Sequence, residues 1–377
     1  MPNIISKSKK RVFLDYAAGR ANPNSIYSEG REARARIEDA RKSIASVISS
    51  ASDEVVLTSW GTDGNAYLLG LVGSGDHVIT SSIEHRSMLD VFARMEEMGA
   101  KVTYLKPNSE GLIKVSDVEK ALRKNTKLVS IMYANNEIGT IQPIKEIARM
   151  LRNQPGQRPA RPLLHSDCVQ APGLLPINMR SLGVDMATFS APKFGGPAGA
   201  GFMFVRRGVT VPHLRDSINI EQAEVMAKQL GIVEKKREKE VMRLTKLRDY
   251  FISGLLSLNR KPGFRFKLEL NGSLEHRLAN NINIASPIES ELLVLELDKL
   301  GISASAGAAC SSREGQLAPR SLGGVGYVIL ALGKSVQEAK NSVRFSLGSE
   351  TSKSDLDYVL SVLPKIINKH TNIWQTR

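Results

Sequence analysis

The chain has 377 residues, enough to bury a large core and to divide into more than one folding unit. It sets 52 Lys and Arg against 38 Asp and Glu, a net charge of +14 that favours acidic partners, while aromatics at 5% leave no stacking platform for nucleic acid. Two cysteines exclude a disulfide framework; with no apolar run of about eighteen residues and no apolar core in Met1–Arg11, neither a membrane span nor a secretory leader is expected, and the reading is a cytoplasmic protein.

Met1–Arg11 reads as a loose polar arm. Val12–Tyr16 reads as a short strand ending in Ala17, Ala18 and Gly19, small residues that let a ligand approach the backbone. Asn22–Ser25 is turn chemistry leading into a helix over Ser28–Ser49, where Ala33, Ile37, Ala40, Ile44, Val47 and Ile48 recur mostly at intervals of three and four. Strands follow at Val55–Thr58, His77–Thr80, Val102–Leu105, Leu128–Met132, Leu163–His165, Met186–Ser190 and Gly201–Val205. Helices alternate with the earlier ones at Asn65–Val72, Ser87–Met98, Val115–Lys124 and Ile144–Arg152. Such alternation predicts a largely parallel sheet covered on both faces, with ligands beyond the carboxyl ends of its strands. Beyond Arg207 the segment Gly208–Asn219 is irregular, and a long charged helix over Ile220–Leu256 leads to strands at Phe264–Leu270, Asn281–Ile284, Ile302–Ala304 and Val343–Leu347 and helices at Glu289–Leu300 and Ser354–Leu363. The division expected is a large domain over 12–207, a linker and long helix over 208–257, and a small α+β domain over 258–377.

Polar residues gather at the strand ends. Thr62 follows the strand at Val55–Thr58, His85 the next, Asn135 and Asn136 the fourth, Asp167 and Gln170 the fifth, Ser190 and Lys193 the sixth. An acid ending one apolar run and a lysine ending the next could hold both ends of a pyridoxal phosphate ring, the acid on the pyridinium nitrogen and the amine on the aldehyde. Each has a plainer reading as well. Thr62 before a helix is ordinarily a cap, though the turn could also receive a phosphate; His85 could stack on a ring or be structural; Asn135 and Asn136 are turn formers, of which one could meet a phenolic oxygen. Asp167 is harder to dismiss, because a carboxylate ending a buried strand needs a partner. Cys310 lies in a run of Ser, Ala and Gly, where a thiol is accessible and suited to receive sulfur. Arg344 is either a carboxylate clamp or an exposed strand arginine. No metal is expected.

With these residues in hand, the chain resembles the cysteine desulfurases, fold-type I pyridoxal phosphate enzymes of the class-V aminotransferase superfamily. The matches, beginning at Phe13-Leu-Asp-Tyr16, are Asn22-Pro-Asn-Ser25 with Glu29-Gly-Arg-Glu-Ala-Arg34, Glu84-His-Arg86, Asn135-Asn-Glu-Ile-Gly139, His165-Ser-Asp-Cys-Val-Gln170, Ser190-Ala-Pro-Lys193, Ser305-Ala-Gly-Ala-Ala-Cys310 and Arg344-Phe-Ser-Leu-Gly348. The resemblance implies an α/β fold, a large domain with a mostly parallel seven-stranded sheet plus a smaller α+β domain. It implies that Lys193 bonds the cofactor aldehyde, Asp167 pairs with the ring nitrogen and His85 stacks on the ring, with Asn136 and Gln170 at the ring side. Gly61, Thr62 and Ser190 would serve the phosphate, and Arg344 with Asn22 the substrate carboxylate. The implied reaction turns L-cysteine into L-alanine and leaves sulfur on Cys310 as a persulfide. A sulfur-acceptor protein for iron–sulfur assembly or tRNA thiolation, and a homodimer, are implied too. The chain departs from the family pattern at Pro192, where relatives carry His, and in Gly208–Asn219, which lacks their glycine-rich phosphate segment. Two alternatives stay open: a selenocysteine lyase or other lyase of this class, and a non-catalytic paralogue acting as an interaction protein.

Overall fold

The structure is a computed structural model that describes residues 12–19, 22–153, 161–217, 219–264, 266–307 and 326–372. Helix α1 (Ser28–Ile48) leads into β1 (Val55–Thr58), α2 (Gly61–Ala66), β2 (His77–Ser81), α3 (Arg86–Glu97), β3 (Lys101–Leu105), α4 (Val115–Ala121), β4 (Thr126–Ser130) and α5 (Ile144–Arg152). Then come β5 (Leu163–Asp167), α6 (Met179–Leu182), β6 (Met186–Ser190), β7 (Gly201–Val205) and the long α7 (Ile220–Leu258). The remainder holds β8 (Glu269–Leu270), β9 (Asn281–Ala285), α8 (Ser290–Asp298), β10 (Ser305–Ala306), α9 (Tyr327–Ala331), α10 (Val336–Lys340), β11 (Ser342–Ser346) and α11 (Lys353–Asn372).

The first seven strands form one sheet in the order β1-β7-β6-β5-β4-β2-β3. Strands β3, β2, β4, β5 and β6 run parallel, and β7 is antiparallel to both β6 and β1. The connection from Ser190 to Gly201 is too short for a crossover helix, so β7 must return antiparallel. Because β7 is reversed between β6 and β1, β1 regains the sense of β6. The carboxyl ends of β1, β2, β4, β5 and β6 therefore share one rim, as the alternating pattern predicts. At the β1 edge both polar groups of the Leu57 backbone are engaged, its N–H by the Asp216 carboxylate at 2.9 Å and its carbonyl by the Ser217 N–H at 3.0 Å. The segment ending at Asp216 and Ser217 thus covers an edge strand.

A second, antiparallel sheet has the order β10-β11-β9-β8. The two sheets carry separate apolar cores, and α7 contributes to both. Ile220, Ala223, Met226 and Leu230 join the first core, where the Ala and Ile stripe of α1 also packs; Leu244, Phe251, Leu255 and Leu258 join the second. Each fully buried Ile or Leu contributes about 2 kcal/mol, so the two ends of α7 are held chiefly by packing. Its charged middle is tied by polar contacts, Glu234 accepting the Gly173 N–H at 2.6 Å and Arg243 donating to the Thr351 and Gly348 carbonyls at 2.7 and 2.8 Å.

Several predicted elements differ. Val12–Tyr16 is not a strand: it finds no ladder partner among the described residues, Leu14 and Tyr16 are exposed, and Phe13 packs edge-on against Tyr16 and Tyr27 instead. The helix expected over Asn65–Val72 begins earlier, at Gly61, and passes into a tighter 3-10 segment over Tyr67–Leu71. Glycine spacing reads as a turn, but Gly61 and Gly64 let the first turn of α2 press against β6. Only Glu269–Leu270 of the strand expected over Phe264–Leu270 pairs, because the Asn259 carboxamide holds the Leu268 N–H and carbonyl at 2.8 and 2.9 Å. The strand expected at Ile302–Ala304 falls instead at Ser305–Ala306, opposite Arg344. No helix among the described residues is long and apolar enough to cross a membrane.

Candidate active site

Asp167 is the last residue of β5 and is 6% exposed. Its Oδ1 accepts the Val169 N–H at 3.0 Å and its Oδ2 accepts the Asn65 amide at 3.3 Å. The same Asn65 amide reaches Ser87 Oγ at 3.2 Å, and that hydroxyl lies 2.8 Å from His85 Nδ1. Since His85 Nδ1 also accepts the Ser87 N–H at 3.2 Å, the neutral imidazole carries its proton on Nε2. A continuous chain of hydrogen bonds thus joins Asp167 on β5 to His85 at the head of α3 through the side chains of Asn65 on α2 and Ser87 on α3. Burial pushes the Asp167 carboxyl above the usual carboxylate range, and the nearby His85 and its hydrogen bonds only partly oppose this.

Lys193 stands three residues beyond β6, the strand paired with β5 through Asp167 and Thr188. It lies exposed in the 3-10 segment Ala191–Phe194, closed by Gly195 at φ 79°, and its ammonium makes no hydrogen bond or ion pair among the described residues. Pro192 occupies the first turn of that segment, where a fixed φ and a missing N–H carry little penalty. Gly61 and Ser190 meet closely: a Cβ on Gly61 would stand 3.3 Å from Ser190 Cβ. Thr62 is exposed on the first turn of α2, and Gln170 is half-buried in the turn after Asp167.

The two asparagines after β4 divide the work. Asn135 is committed to structure, donating to the Ile83 carbonyl at 2.9 Å and accepting from the Glu137 and Ile138 N–H groups at 2.9 and 3.0 Å. Asn136 keeps a buried Oδ1 with no partner among the described residues, while its carbonyl accepts from Arg344 Nη1 at 3.0 Å. Arg344 is half-buried rather than exposed, and its Nε is also buried and has no hydrogen-bond partner among the described residues. The Asn22 carboxamide oxygen is engaged locally, accepting the Asn24 N–H at 2.9 Å, and among the described residues no hydrogen bond links Asn22 to the other candidates. Cys310 lies outside the described residues; Gly307, three positions before it, ends the segment that follows β10 beside Arg344. Cys168, the residue after Asp167, is fully buried in the first core, and burial raises its thiol pKa well above the usual value.

Sequence reasoning missed four residues. Asn65 and Ser87 read as loop and cap residues, and only their contacts reveal them as the link between Asp167 and His85. Glu84 is fully buried, its Oε1 accepting Ser81 Oγ at 2.5 Å and the Met132 N–H at 3.0 Å, and burial pushes it up to about 8. Glu137 is buried too and pushed up to about 7 by that burial, against the lowering effect of the Arg344 charge. Their adjacency to His85 and Asn136 was the available signal.

Pyridoxal phosphate requires an amine for its aldehyde, an anion for its ring nitrogen, a group at its ring oxygen and donors for its phosphate. The exposed Lys193 amine, the buried Asp167 carboxyl, the Asn136 Oδ1 that lacks a partner among the described residues, and Ser190 with the start of α2 match that donor set. A profile of the family described as aminotransferase class-V matches residues 9–216. The chain belongs to this family. It is 37% identical to a cysteine desulfurase IscS of Dictyoglomus turgidum, over 96% of this chain and 95% of that one. With the IscS of Methanosarcina thermophila it shares 35% over 98% of this chain and 91% of that one. Its fold resembles a solved NifS-like protein with a TM-score of 0.79 at 29% identity, covering 91% and 90% of the two chains. A NifS-like protein from Rickettsia africae gives 0.74 at 25% identity, over 91% of each.

Proposed function

We propose that the chain is a pyridoxal phosphate-dependent cysteine desulfurase. The observation that carries the residue assignments is the hydrogen-bond chain from Asp167 through Asn65 and Ser87 to His85, at the same rim as the exposed Lys193 amine. The bound cofactor supplies an electron sink for the substrate α-carbon. Lys193 holds it and moves the α-proton at Nζ. Asp167 keeps a negative charge against the ring nitrogen, His85 covers the ring face, and Asn136 with Gln170 orients the ring side. Gly61, Thr62 and Ser190 receive the phosphate, and Arg344, assisted by Asn22, binds the substrate carboxylate. The Cys310 thiolate attacks the substrate sulfur. A sulfur–sulfur bond forms as the carbon–sulfur bond breaks, so cysteine and the enzyme thiol give alanine and an enzyme persulfide, with no outside oxidant.

Cytoplasmic location, a homodimer and division into 12–207, 208–257 and 258–377 complete this reading. The sulfur acceptor is taken to be an acidic protein of iron–sulfur assembly or tRNA thiolation, since a +14 chain attracts such a surface and should bind it less well in salt. The test is direct. Protein incubated with pyridoxal phosphate should gain a visible absorption band and release alanine from L-cysteine, and Cys310→Ala should abolish release while keeping the band. No band would overturn the enzyme reading; undiminished release by the variant would overturn the role of the thiol.

A further inference from the structure

The turn that carries His85 is clamped from several sides. Asn135 donates to the Ile83 carbonyl at 2.9 Å, and the Glu84 carboxyl accepts from Ser81 and from the Met132 backbone. One more clamp comes from far along the chain. Tyr327 donates its hydroxyl to the Glu84 carbonyl at 2.7 Å, the carbonyl of the residue directly before His85. Tyr327 opens α9, and the residues that follow it are anchored too. Val328, Ile329 and Leu332 form a small apolar cluster with Ile83 and Ile138, one from the His85 turn and the other from the turn after Asn136. Helix α9 is therefore packed on both turns, and its first side chain makes the polar contact.

We infer that Tyr327 is a positioning residue for the desulfurase site: its hydroxyl sets the His85 imidazole by fixing the Glu84 carbonyl. This rests on the reading of His85 as the residue that covers the cofactor ring. The physical ground is that a carbonyl fixes the peptide plane leading into the next residue, so a donor on Glu84 O restricts the φ of His85 and hence its Cβ direction. The opposite side of the imidazole is already held, through Nδ1, by Ser87. Losing the Tyr327 donor leaves a carbonyl without its partner and lets the turn shift, whereas the apolar packing of α9 survives in phenylalanine.

The experiment is a double-mutant cycle on the cofactor-loaded, full-length protein, using Tyr327→Phe, His85→Ala and the pair, with Val328→Ala as a packing control. Alanine release and the absorption and circular dichroism of the bound cofactor are read beside the melting temperature. Tyr327→Phe should lower kcat about fivefold and change the cofactor circular dichroism, with little change in KM for cysteine. In the His85→Ala background the same substitution should do neither, because its route of action is gone. Val328→Ala should lower the melting temperature and leave the dichroism as in the parent. Equal effects of Tyr327→Phe with and without His85, or a dichroism change as large in Val328→Ala, would overturn the inference while the reading of His85 stands. A His85→Ala protein with parental turnover and spectrum would overturn both.

Discussion

Replacing Asp167 by Asn separates cofactor chemistry from folding. The shape is kept, and the variant Oδ1 can still accept the Val169 N–H now held at 3.0 Å. The new amide would face the Asn65 amide, 3.3 Å from Asp167 Oδ2. A flip of the Asn65 carboxamide turns its oxygen, which has no partner among the described residues, toward that amide and restores a donor–acceptor pair, in exchange for the Asn65 donation to Ser87 Oγ. Burial raises the Asp167 pKa in the folded state. The sign for the cofactor-free protein follows: folding favours the protonated acid, so stability is fully present below the unfolded value, 3.8, and is lost as pH rises through the raised native value. At neutral pH the cofactor-free variant should therefore melt no lower than the parent, and the parent should lose stability relative to it with rising pH. Cofactor binding should move the other way. A hydrogen bond to a charged group is worth about 1.5–3 kcal/mol, so pyridoxal phosphate affinity should fall about 10- to 150-fold. Melting curves across pH and a spectroscopic cofactor titration measure the two effects. A variant that melts far below the parent, or binds the cofactor equally well, would refute the reasoning.

Two further outcomes follow from packing and burial. Gly64→Ala puts a Cβ 2.9 Å from Thr188 Cγ2 in the middle of the sheet face, and should destabilise by about 1–3 kcal/mol in denaturant titrations and weaken the cofactor site that α2 borders. Glu137→Gln should remove one part of the pH dependence: Glu137 costs the parent stability from about pH 4.5, the ordinary value, through about 7, the raised one, so the parent should lose stability relative to the variant over that range while the losses from Glu84 and Asp167 stay in both, as paired melting curves will show.

Much of this architecture was legible in the chain because its periods were clean. Short apolar runs separated by amphipathic helices told of a parallel sheet, and Asp167 and Lys193, each at or just past the end of such a run, had to emerge on one rim. Local signals failed where neighbours override them. Gly61 and Gly64 look like a turn in isolation and form a helix because β6 leaves no room for side chains. Val12–Tyr16 has strand composition and, among the described residues, no strand to pair with.

By itself the sequence determined which groups reach the rim, since strand direction and residue order decide that. Only tertiary structure decided how they are connected. Asn65, Ser87 and Tyr327 are unremarkable in the chain and matter through contacts across 102, 22 and 243 positions. It also decided between Asn135 and Asn136. Both follow the same strand, but a hydrogen bond to the distant Ile83 carbonyl, beside two local ones, binds Asn135 into the fold, while Asn136 Oδ1 has no partner among the described residues. Hydrogen bonds between residues far apart in the chain depend on chain closure rather than on local spacing, so no local pattern encodes them.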